Sequence, residues 1–314
     1  MSAAVADGTM GRAAGRPAAR PSWDRAPGEP RRIAYLYVLP ALAMYAAFVL
    51  YPLGRGLWLS FHRWDGLTAP VWAGLENYRE LFADPEIRGA FAHSAVLIVF
   101  YSILPVGLGL FLAATLSRIR VRGLSAFRTL LFLPQVIPMV VVAVSWRWIY
   151  APAGPLNEGL RALGADGLAT PWLGDFTLAL PAVGLVGTWV LYGLTMVLFV
   201  AGVQKIPRSL YDAARVDGAG PVREFFAVTL PGLRGELVVA VALTMIAALR
   251  NFDLVYMLTQ GGPGTATTVP ALEVYRGAFQ TGRVGTASAI GMALALVIFA
   301  VTFLVTRLGD RGER

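Results

Sequence analysis

Six long apolar segments constrain this chain more strongly than any other feature. Each is about 20 residues long or longer, which is what an α-helix needs to cross the hydrocarbon core of a bilayer. The composition agrees, because 56% of the residues are hydrophobic and only 15% are charged, against about 45–50% and 25% in soluble domains. We therefore predict an all-α integral membrane protein with six transmembrane helices. The predicted spans are Ile33–Leu59, Phe91–Leu116, Phe127–Tyr150, Leu178–Val203, Leu233–Leu258 and Thr286–Thr306.

The segments on either side of the apolar region are polar. Residues 1–32 are rich in Ala, Gly, Pro and Arg and show no apolar periodicity, which predicts a disordered N-terminal tail. A secretory signal peptide is the competing interpretation, but the apolar stretch that follows is longer than a signal-peptide core of about 7–15 residues. We assign residues 33–308 to the transmembrane domain and residues 309–314 to a second tail.

The basic residues predict the orientation of the spans, because cytoplasmic connections carry an excess of Lys and Arg. With the N-terminus inside, most of the 27 Lys and Arg residues fall in cytoplasmic segments. They are Arg12, Arg16, Arg20, Arg25, Arg31, Arg32, Arg118, Arg120, Arg122, Arg128, Lys205, Arg208, Arg215, Arg223, Arg234, Arg307, Arg311 and Arg314. Both termini and the connection between spans four and five are thus predicted to be cytoplasmic. The net charge of +8 is explained by topology, and we expect no binding of nucleic acid.

The connection between spans four and five, Pro207–Pro231, is charged and yet patterned as a helix–turn–helix. Pro207 suits the start of a helix, where its missing N–H would have no partner. Four residues at helical spacing then share one face, and they are Leu210, Ala213, Ala214 and Asp217. Gly218 stands where that helix ends and is predicted to adopt a positive φ. A second short helix is predicted at Val222–Leu230, and a unit of this kind needs a protein partner to bury it.

The letters YDAARVDGA, followed by Phe and then TLP, resemble the cytoplasmic coupling loop of permease subunits in binding-protein-dependent ABC importers. The family pattern is Glu-Ala-Ala, three residues and Gly, then a later Phe and Leu-Pro. Here Asp212 replaces the Glu, which keeps the charge and shortens the reach. The residues assigned to ATPase coupling by this resemblance are Tyr211, Asp212, Ala213, Ala214, Asp217, Gly218, Ala219, Phe226 and Pro231.

Three further stretches resemble the carbohydrate-importing branch of the same family. They begin at Asn77, at Phe132 and at Asn251, and the run LTQGGPG at Leu258–Gly264 is the most specific of them. The resemblance extends over nearly all of residues 33–308. It implies a sugar or a related polyol as cargo and leaves the particular sugar, or a glycerol-phosphate-like analogue, open.

The resemblance also implies a location and a set of partners. The chain would lie in the lipid bilayer of a bacterial plasma (inner) membrane, beside a second permease subunit that is usually a different, related chain. A cytoplasmic dimer of ATPase subunits would bind ATP and Mg, and an extracytoplasmic binding protein would deliver the substrate. Asp217 would then cap the second loop helix or pair with a basic residue of the ATPase, unless it is only a solvated acid.

No catalytic or cofactor-binding constellation is evident. The chain has no Cys and only two His, His62 and His93, so we expect no metal site. The sequence contains no phosphate loop of the form Gly-x-x-x-x-Gly-Lys-Ser/Thr, and the glycine-rich run at Leu258–Gly264 lacks the Lys that would hold phosphate. We therefore expect no cofactor on this chain, no enzyme activity, and hydrolysis of ATP in a partner subunit.

Polar side chains in span five are candidates for the substrate path, since polar groups inside a membrane are costly and indicate a lined cavity. Thr244, Ala248 and Asn251 fall on one helical face of this span. Arg250 and Asp253 flank that face. The alternative for the two charged residues is that they extend to the membrane interface.

Span four offers a second candidate face. Thr188 belongs to a stripe of small and polar residues, and Trp189 and Tyr192 form an aromatic face three residues apart. An aromatic face can stack on the apolar face of a sugar ring. Ordinary helix packing is the alternative for both aromatic residues.

An ion-coupled secondary transporter is the main alternative function. Such proteins carry internal repeats, broken helices and ion-binding groups near the membrane midplane. No repeat is evident here, and the acidic residues lie mainly outside the predicted spans. A membrane enzyme is a third class, but no span contains a paired acid and base.

Overall fold

The computed structural model describes residues 31–117 and 123–310. Most of the predicted N-terminal tail, the last four residues of the C-terminal tail, and Arg118, Arg120 and Arg122 lie outside the described residues. The chain divides into a first unit that ends at Pro52 and a second unit that begins at Leu53.

Helices make up most of the part of the chain that the structure describes. In chain order they are α1 Arg31–Tyr45, α2 Tyr51–Leu59, α3 Glu76–Ala83, α4 Pro85–Ile98, α5 Leu104–Leu116, α6 Leu124–Val136, α7 Met139–Ile149, α8 Pro155–Ala162, α9 Ala179–Val203, α10 Arg208–Val216, α11 Pro221–Glu224, α12 Leu230–Gly232, α13 Arg234–Leu249, α14 Asp253–Leu258, α15 Pro270–Phe279 and α16 Val284–Asp310. Three π-helical turns, Ala46–Leu50, Val99–Ile103 and Phe225–Thr229, join α1 to α2, α4 to α5 and α11 to α12, and Asp166–Leu168 is a 3₁₀ turn. A short antiparallel hairpin, β1 His62–Arg63 and β2 Val71–Trp72, is an addition to the predicted all-α fold.

Four helical segments are long and apolar enough to cross a membrane, and they are Tyr35–Leu59, Pro85–Leu116, Ala179–Val203 and Val284–Gly309. Two further pairs of helices meet the same criterion only as bent pairs, and they are Leu124–Val136 with Met139–Ile149, and Pro221–Gly232 with Arg234–Leu249. If each bent pair counts as one span, the total is six, which is the predicted number. The second pair, however, begins inside the connection Pro207–Pro231 that the sequence places outside the lipid, and not at the predicted Leu233. Large apolar side chains such as Phe111 and Phe299 stay exposed along the spans, as expected for surfaces that face lipid.

The third predicted span, Phe127–Tyr150, is not one straight helix. It divides into α6 and α7, whose axes differ by 93°. The break lies at Ile137, which is extended with ψ of 131°, and at Pro138, which precedes the first residue of α7. A residue before proline is disfavoured in the α conformation, so the sequence itself explains the bend.

The fifth predicted span, Leu233–Leu258, is also interrupted. Helix α13 ends at Leu249, and α14 begins only at Asp253. Arg250, Asn251 and Phe252 form the break. Apolar content alone therefore overestimated the length of this helix, because the polar residues near its outer end mark a turn.

Helix α9 is the packing centre of the second unit, and its bounds agree with the predicted fourth span. It contacts α5 more extensively than any other helix and also packs against α6 and α13. Glycines on α9 allow this approach, because a Cβ at Gly187 would collide with the Tyr101 ring and one at Gly193 would lie 2.7 Å from the Leu131 carbonyl oxygen. Small residues have the same use at many helix contacts in membranes.

Threonine hydroxyls of α9 bond the π turn Val99–Ile103 and the start of α5. The Oγ1 of Thr188 donates to the Phe100 carbonyl at 2.6 Å, and the Oγ1 of Thr195 donates to the Pro105 carbonyl at 2.6 Å. Backbone carbonyls that lack a helical partner inside a membrane need such a donor. The π turn thereby fixes Tyr101 against α9.

Candidate functional site

The connection Pro207–Pro231 folds as the helix–turn–helix that its sequence predicts. Pro207 precedes the first residue of α10, and Asp217 follows its last. Gly218 adopts φ of +76°, so the chain reverses at the predicted glycine. The second helix runs from Pro221 to Gly232 through a π turn, slightly beyond the predicted ends.

Two side-chain contacts join the helices of this connection, which we call the loop module (residues 207–231). The Nε of Arg215 donates to Oε2 of Glu224 at 3.1 Å, and the hydroxyls of Tyr211 and Thr229 lie 3.2 Å apart. Glu224 is only 4% exposed and Thr229 is also buried. A hydrogen bond to a charged group is stronger than one between neutral groups. These contacts make the module a single unit rather than two independent helices.

Both ends of the loop module are anchored in the membrane domain. Ile206 and Leu233 belong to one buried apolar cluster with residues of α5, α9 and α13. A Cβ at Gly232 would lie 2.6 Å from Ile206, so the two ends are also packed against each other. The module is therefore packed against the helices that precede and follow it.

The outer surface of the loop module is open. Asp212, Ala213 and Asp217 are exposed, and the Val216 side chain is 87% exposed. Val222 and Phe226 add further exposed apolar surface from the second helix. Contiguous apolar groups on a charged surface are typical of a contact for another protein.

A polar cavity of about 650 Å³ lies on the inner side of α10, facing the ends of α5, α6 and α9. Its charged lining comprises Arg128, Arg208, Asp212, Arg215 and Glu224. The opposite charges roughly balance, so the cavity does not carry a strong field of either sign.

A second cavity, of about 360 Å³, lies among the transmembrane helices. Its lining comprises Tyr101, Met139, Gly187, Val190, Leu191, Leu243, Ile246, Ala247, Arg250, Asn251, Phe252 and Asp253. It is therefore built from the π turn after α4, the starts of α7 and α14, the middle of α9, and the C-terminal part of α13. Apolar walls with a few convergent polar groups are the usual character of a small-molecule site.

Two polar atoms of residues that line this cavity are buried, and their side chains interact with each other. They are the hydroxyl of Tyr101, which is 4% exposed, and the Nδ2 of Asn251, which is 7% exposed.

The chain matches the model of one protein family over residues 105–313, and that family is described as the binding-protein-dependent transport system inner membrane component. The match covers more than half of the chain. This protein belongs to that family.

Individual relatives and solved structures agree with this assignment. The permease is 36% identical to the diacetylchitobiose uptake system permease protein NgcF of Streptomyces coelicolor, over 87% of this chain and 81% of that protein. It is 35% identical to the sulfoquinovosyl glycerol transport system permease protein SmoG of Agrobacterium fabrum, over 88% of each chain. A chain of the bacterial alginate ABC transporter, crystallised with an alginate pentasaccharide-bound periplasmic protein, has the same fold. The TM-score is 0.76, the sequence identity is 22%, and the match covers 89% of this chain and 94% of that one.

The predicted coupling residues of the permease all lie on one structural unit. Tyr211 faces Thr229, while Pro231 lies in the last turn of the second helix. The helix beginning at Pro221 has no side-chain cap, so Asp217 does not cap it. Among the described residues, the Asp217 carboxylate makes no hydrogen bond or ion pair, and its pairing with a basic residue of a partner stays a prediction.

The predicted substrate-path residues of the permease divide into two groups. Arg250 and Asn251 line the transmembrane cavity. The others lie outside that lining and contact neighbouring helices. Thr188 bonds the π turn, and the Thr244 hydroxyl donates to that of Ser102 at 2.8 Å. Trp189 packs edge-on against Trp146, with ring centres 5.6 Å apart. Ala248 is fully buried, and Tyr192 is half-buried on α9.

Sequence reasoning missed Tyr101 and Phe252 as cavity residues. A tyrosine and a serine in the middle of an otherwise apolar second span were the available signal for Tyr101, since polar groups inside spans indicate function. Their direction depends on the π turn and on Gly187 of another helix, which no local pattern shows. The residues that the structure describes contain no group of three or more His, Asp or Glu that could hold a metal ion.

Proposed function

We propose that this chain is a permease subunit of an ATP-driven importer that takes up a sugar or related polyol. Carbohydrate-containing cargo is named for NgcF, for SmoG and for the alginate transporter. The transmembrane cavity suits such a molecule, because it combines apolar walls with the polar side chains of Tyr101, Asn251 and Asp253.

The loop module carries the ATP-driven part of the proposal. It is held together by the Arg215–Glu224 ion pair and is anchored at both ends, so it can transmit force as one body. Its open surface would dock on a cytoplasmic ATPase dimer that binds ATP and Mg. Small residues, Ala213 and Gly218, would allow the partner's backbone to approach closely.

The remaining partners follow from the same proposal. The excess of Lys and Arg favours a cytoplasmic location for both termini and the loop module in a bacterial cell. An extracytoplasmic binding protein would then deliver substrate to the opposite face, as the alginate transporter is found in complex with a periplasmic protein. A second permease subunit, related to this chain, would complete the translocation path.

The experiment is purification of the tagged chain from its own cells in a mild detergent, with identification of every protein that accompanies it. We expect an ATPase subunit and a second permease in stoichiometric amounts. The proposal would be overturned by a chain that purifies alone from several detergents and drives uptake from a proton or sodium gradient.

A further inference from the structure

Four aromatic side chains form a continuous ladder between α14 and α15. Phe252 stacks on Tyr256 with ring centres 5.2 Å apart and planes tilted by only 14°. Tyr275 lies 5.4 Å from Phe252 and 5.3 Å from Tyr256, and Phe279 follows 5.5 Å beyond Tyr275. We call these four residues the aromatic ladder.

The two ends of the ladder lie in different environments. Phe252 lines the transmembrane cavity, next to Asn251. Phe279 is the last residue of α15 and is 80% exposed. Helix α15 follows the predicted fifth span, and the orientation predicted from the Lys and Arg residues places it at the outer surface. With that orientation the ladder leads from the outer surface to the cavity.

Core packing alone does not explain the ladder. Phe252, Tyr256 and Tyr275 pack on one side against the main buried cluster but stay partly exposed. A ring as exposed as that of Phe279 gains little from burial inside the chain. Part of each inner ring and most of the Phe279 ring can therefore be reached from outside the chain.

The chemistry at the inner end complements the rings. The lining there includes the side chains of Tyr101 and Asn251, which interact with each other. Arg250 and Asp253 add charged groups to the same lining. Pyranose rings have an apolar face of C–H groups and a rim of hydroxyls. The apolar face matches an aromatic ring, whose faces are negative, and the rim matches the polar groups.

We propose that the aromatic ladder is a stacking path along which pyranose rings pass from the outer surface to the cavity. The inference rests on the proposed function and specifies its cargo as a saccharide with exposed pyranose faces. Because neighbouring rings are only 5.2–5.5 Å apart, a saccharide of two or more units contacts more than one of them at a time. Transfer from one ring to the next then never leaves the sugar without a contact.

The test replaces Phe279 and Phe252 by Leu, which keeps apolar bulk and removes the aromatic face. The wild-type complex, with its binding protein, is reconstituted in vesicles and tested with diacetylchitobiose, maltose and an alginate oligosaccharide. With a saccharide that the wild type imports, we expect each Leu variant to lower uptake at subsaturating concentration by about threefold to tenfold, the effect of losing one ring contact. We expect Phe279→Tyr to retain wild-type uptake.

Two controls separate the path from other roles of these residues. Phe82, on α3, is 71% exposed and belongs to no ladder, so Phe82→Leu should leave uptake unchanged. Stimulation of ATP hydrolysis by the binding protein should persist in Phe279→Leu, because a docking contact would lose that stimulation.

The outcomes are distinct. Uptake by both Leu variants at the wild-type rate, or an equal loss in Phe82→Leu, overturns the ladder and leaves the proposed function intact. A wild-type complex that imports no saccharide at all, neither these three nor any that its binding protein binds, overturns the sugar assignment and the ladder with it.

Discussion

Gly218 offers the sharpest test of the loop module, because its replacement is mild for the chain itself and severe for a docked partner. Its φ of +76° is costly for a residue with a side chain, by about 1–2 kcal/mol. A Cβ at this position would meet no atom within 4 Å, so no clash inside the chain adds to that cost. A protein with about 5–15 kcal/mol of stability stays folded after such a loss.

The expected result for Gly218→Asp is therefore a folded permease that has lost its coupling. A new carboxylate would be buried against the ATPase, and an uncompensated buried charge costs about 3–5 kcal/mol. We expect at least a tenfold drop in co-purified ATPase and in ATP-driven uptake, with a melting temperature in detergent only slightly lowered.

Gly164 provides a matched control for this substitution. It follows α8, lies in a connection that is predicted to be on the outer side, and has φ of +74°. A Cβ there would likewise meet no atom within 4 Å. Gly164→Asp should thus carry the same backbone strain and retain uptake. Uptake by Gly218→Asp at the wild-type rate would refute docking through this glycine, and an equal loss in Gly164→Asp would assign the effect to strain.

Contacts elsewhere in the chain give three further predictions. Glu224→Gln weakens a charged hydrogen bond to Arg215 within the loop module, so coupling efficiency (transport per ATP hydrolysed) should fall. Because the Arg215 side chain is 61% exposed to solvent, the free energy of unfolding should change by only about 1 kcal/mol. Gly109→Ala places a Cβ against the Thr195 hydroxyl of α9. It should lower the free energy of unfolding by about 1–3 kcal/mol, measured as a lower melting temperature. Gly107→Ala is the control, because a Cβ there would meet no atom within 4 Å, and it should leave the melting temperature unchanged. The Asp175 side chain accepts hydrogen bonds that lower the pKa of its carboxyl below the ordinary value of 3.8. Its contribution to the stability of the fold is thus complete above that pH and is lost as the pH falls through the lowered pKa. The destabilisation by Asp175→Ala, measured by thermal melting, should vanish over the same acidic range.

Much of the fold could be predicted because its signals are local. The α9 span follows from apolar length, and the loop module follows from Pro207, helical spacing and Gly218. The break within the third predicted span was not predicted, since hydropathy reports depth in a membrane but not helix direction. Pro138 was visible in the sequence, but only the structure shows a bend of 93° at that point.

The transmembrane cavity was harder to predict because its members come from distant parts of the chain. Thr188 and Thr244 share a sequence signal with Asn251, a polar group in an apolar span, yet their hydroxyls bond neighbouring helices. Tyr101 faces the cavity only because a π turn rotates it and Gly187 leaves room for its ring. Such long-range fits cannot be derived from spacing along one helix.

Uptake by the purified complex in proteoliposomes tests the central claim most directly. The vesicles would contain this chain with its co-purifying subunits, the binding protein would be outside, and ATP would be supplied on the cytoplasmic face. The account predicts accumulation of a saccharide that requires both the binding protein and hydrolysable ATP and that is insensitive to collapse of ion gradients. Accumulation that proceeds without ATP and follows a proton or sodium gradient would contradict it.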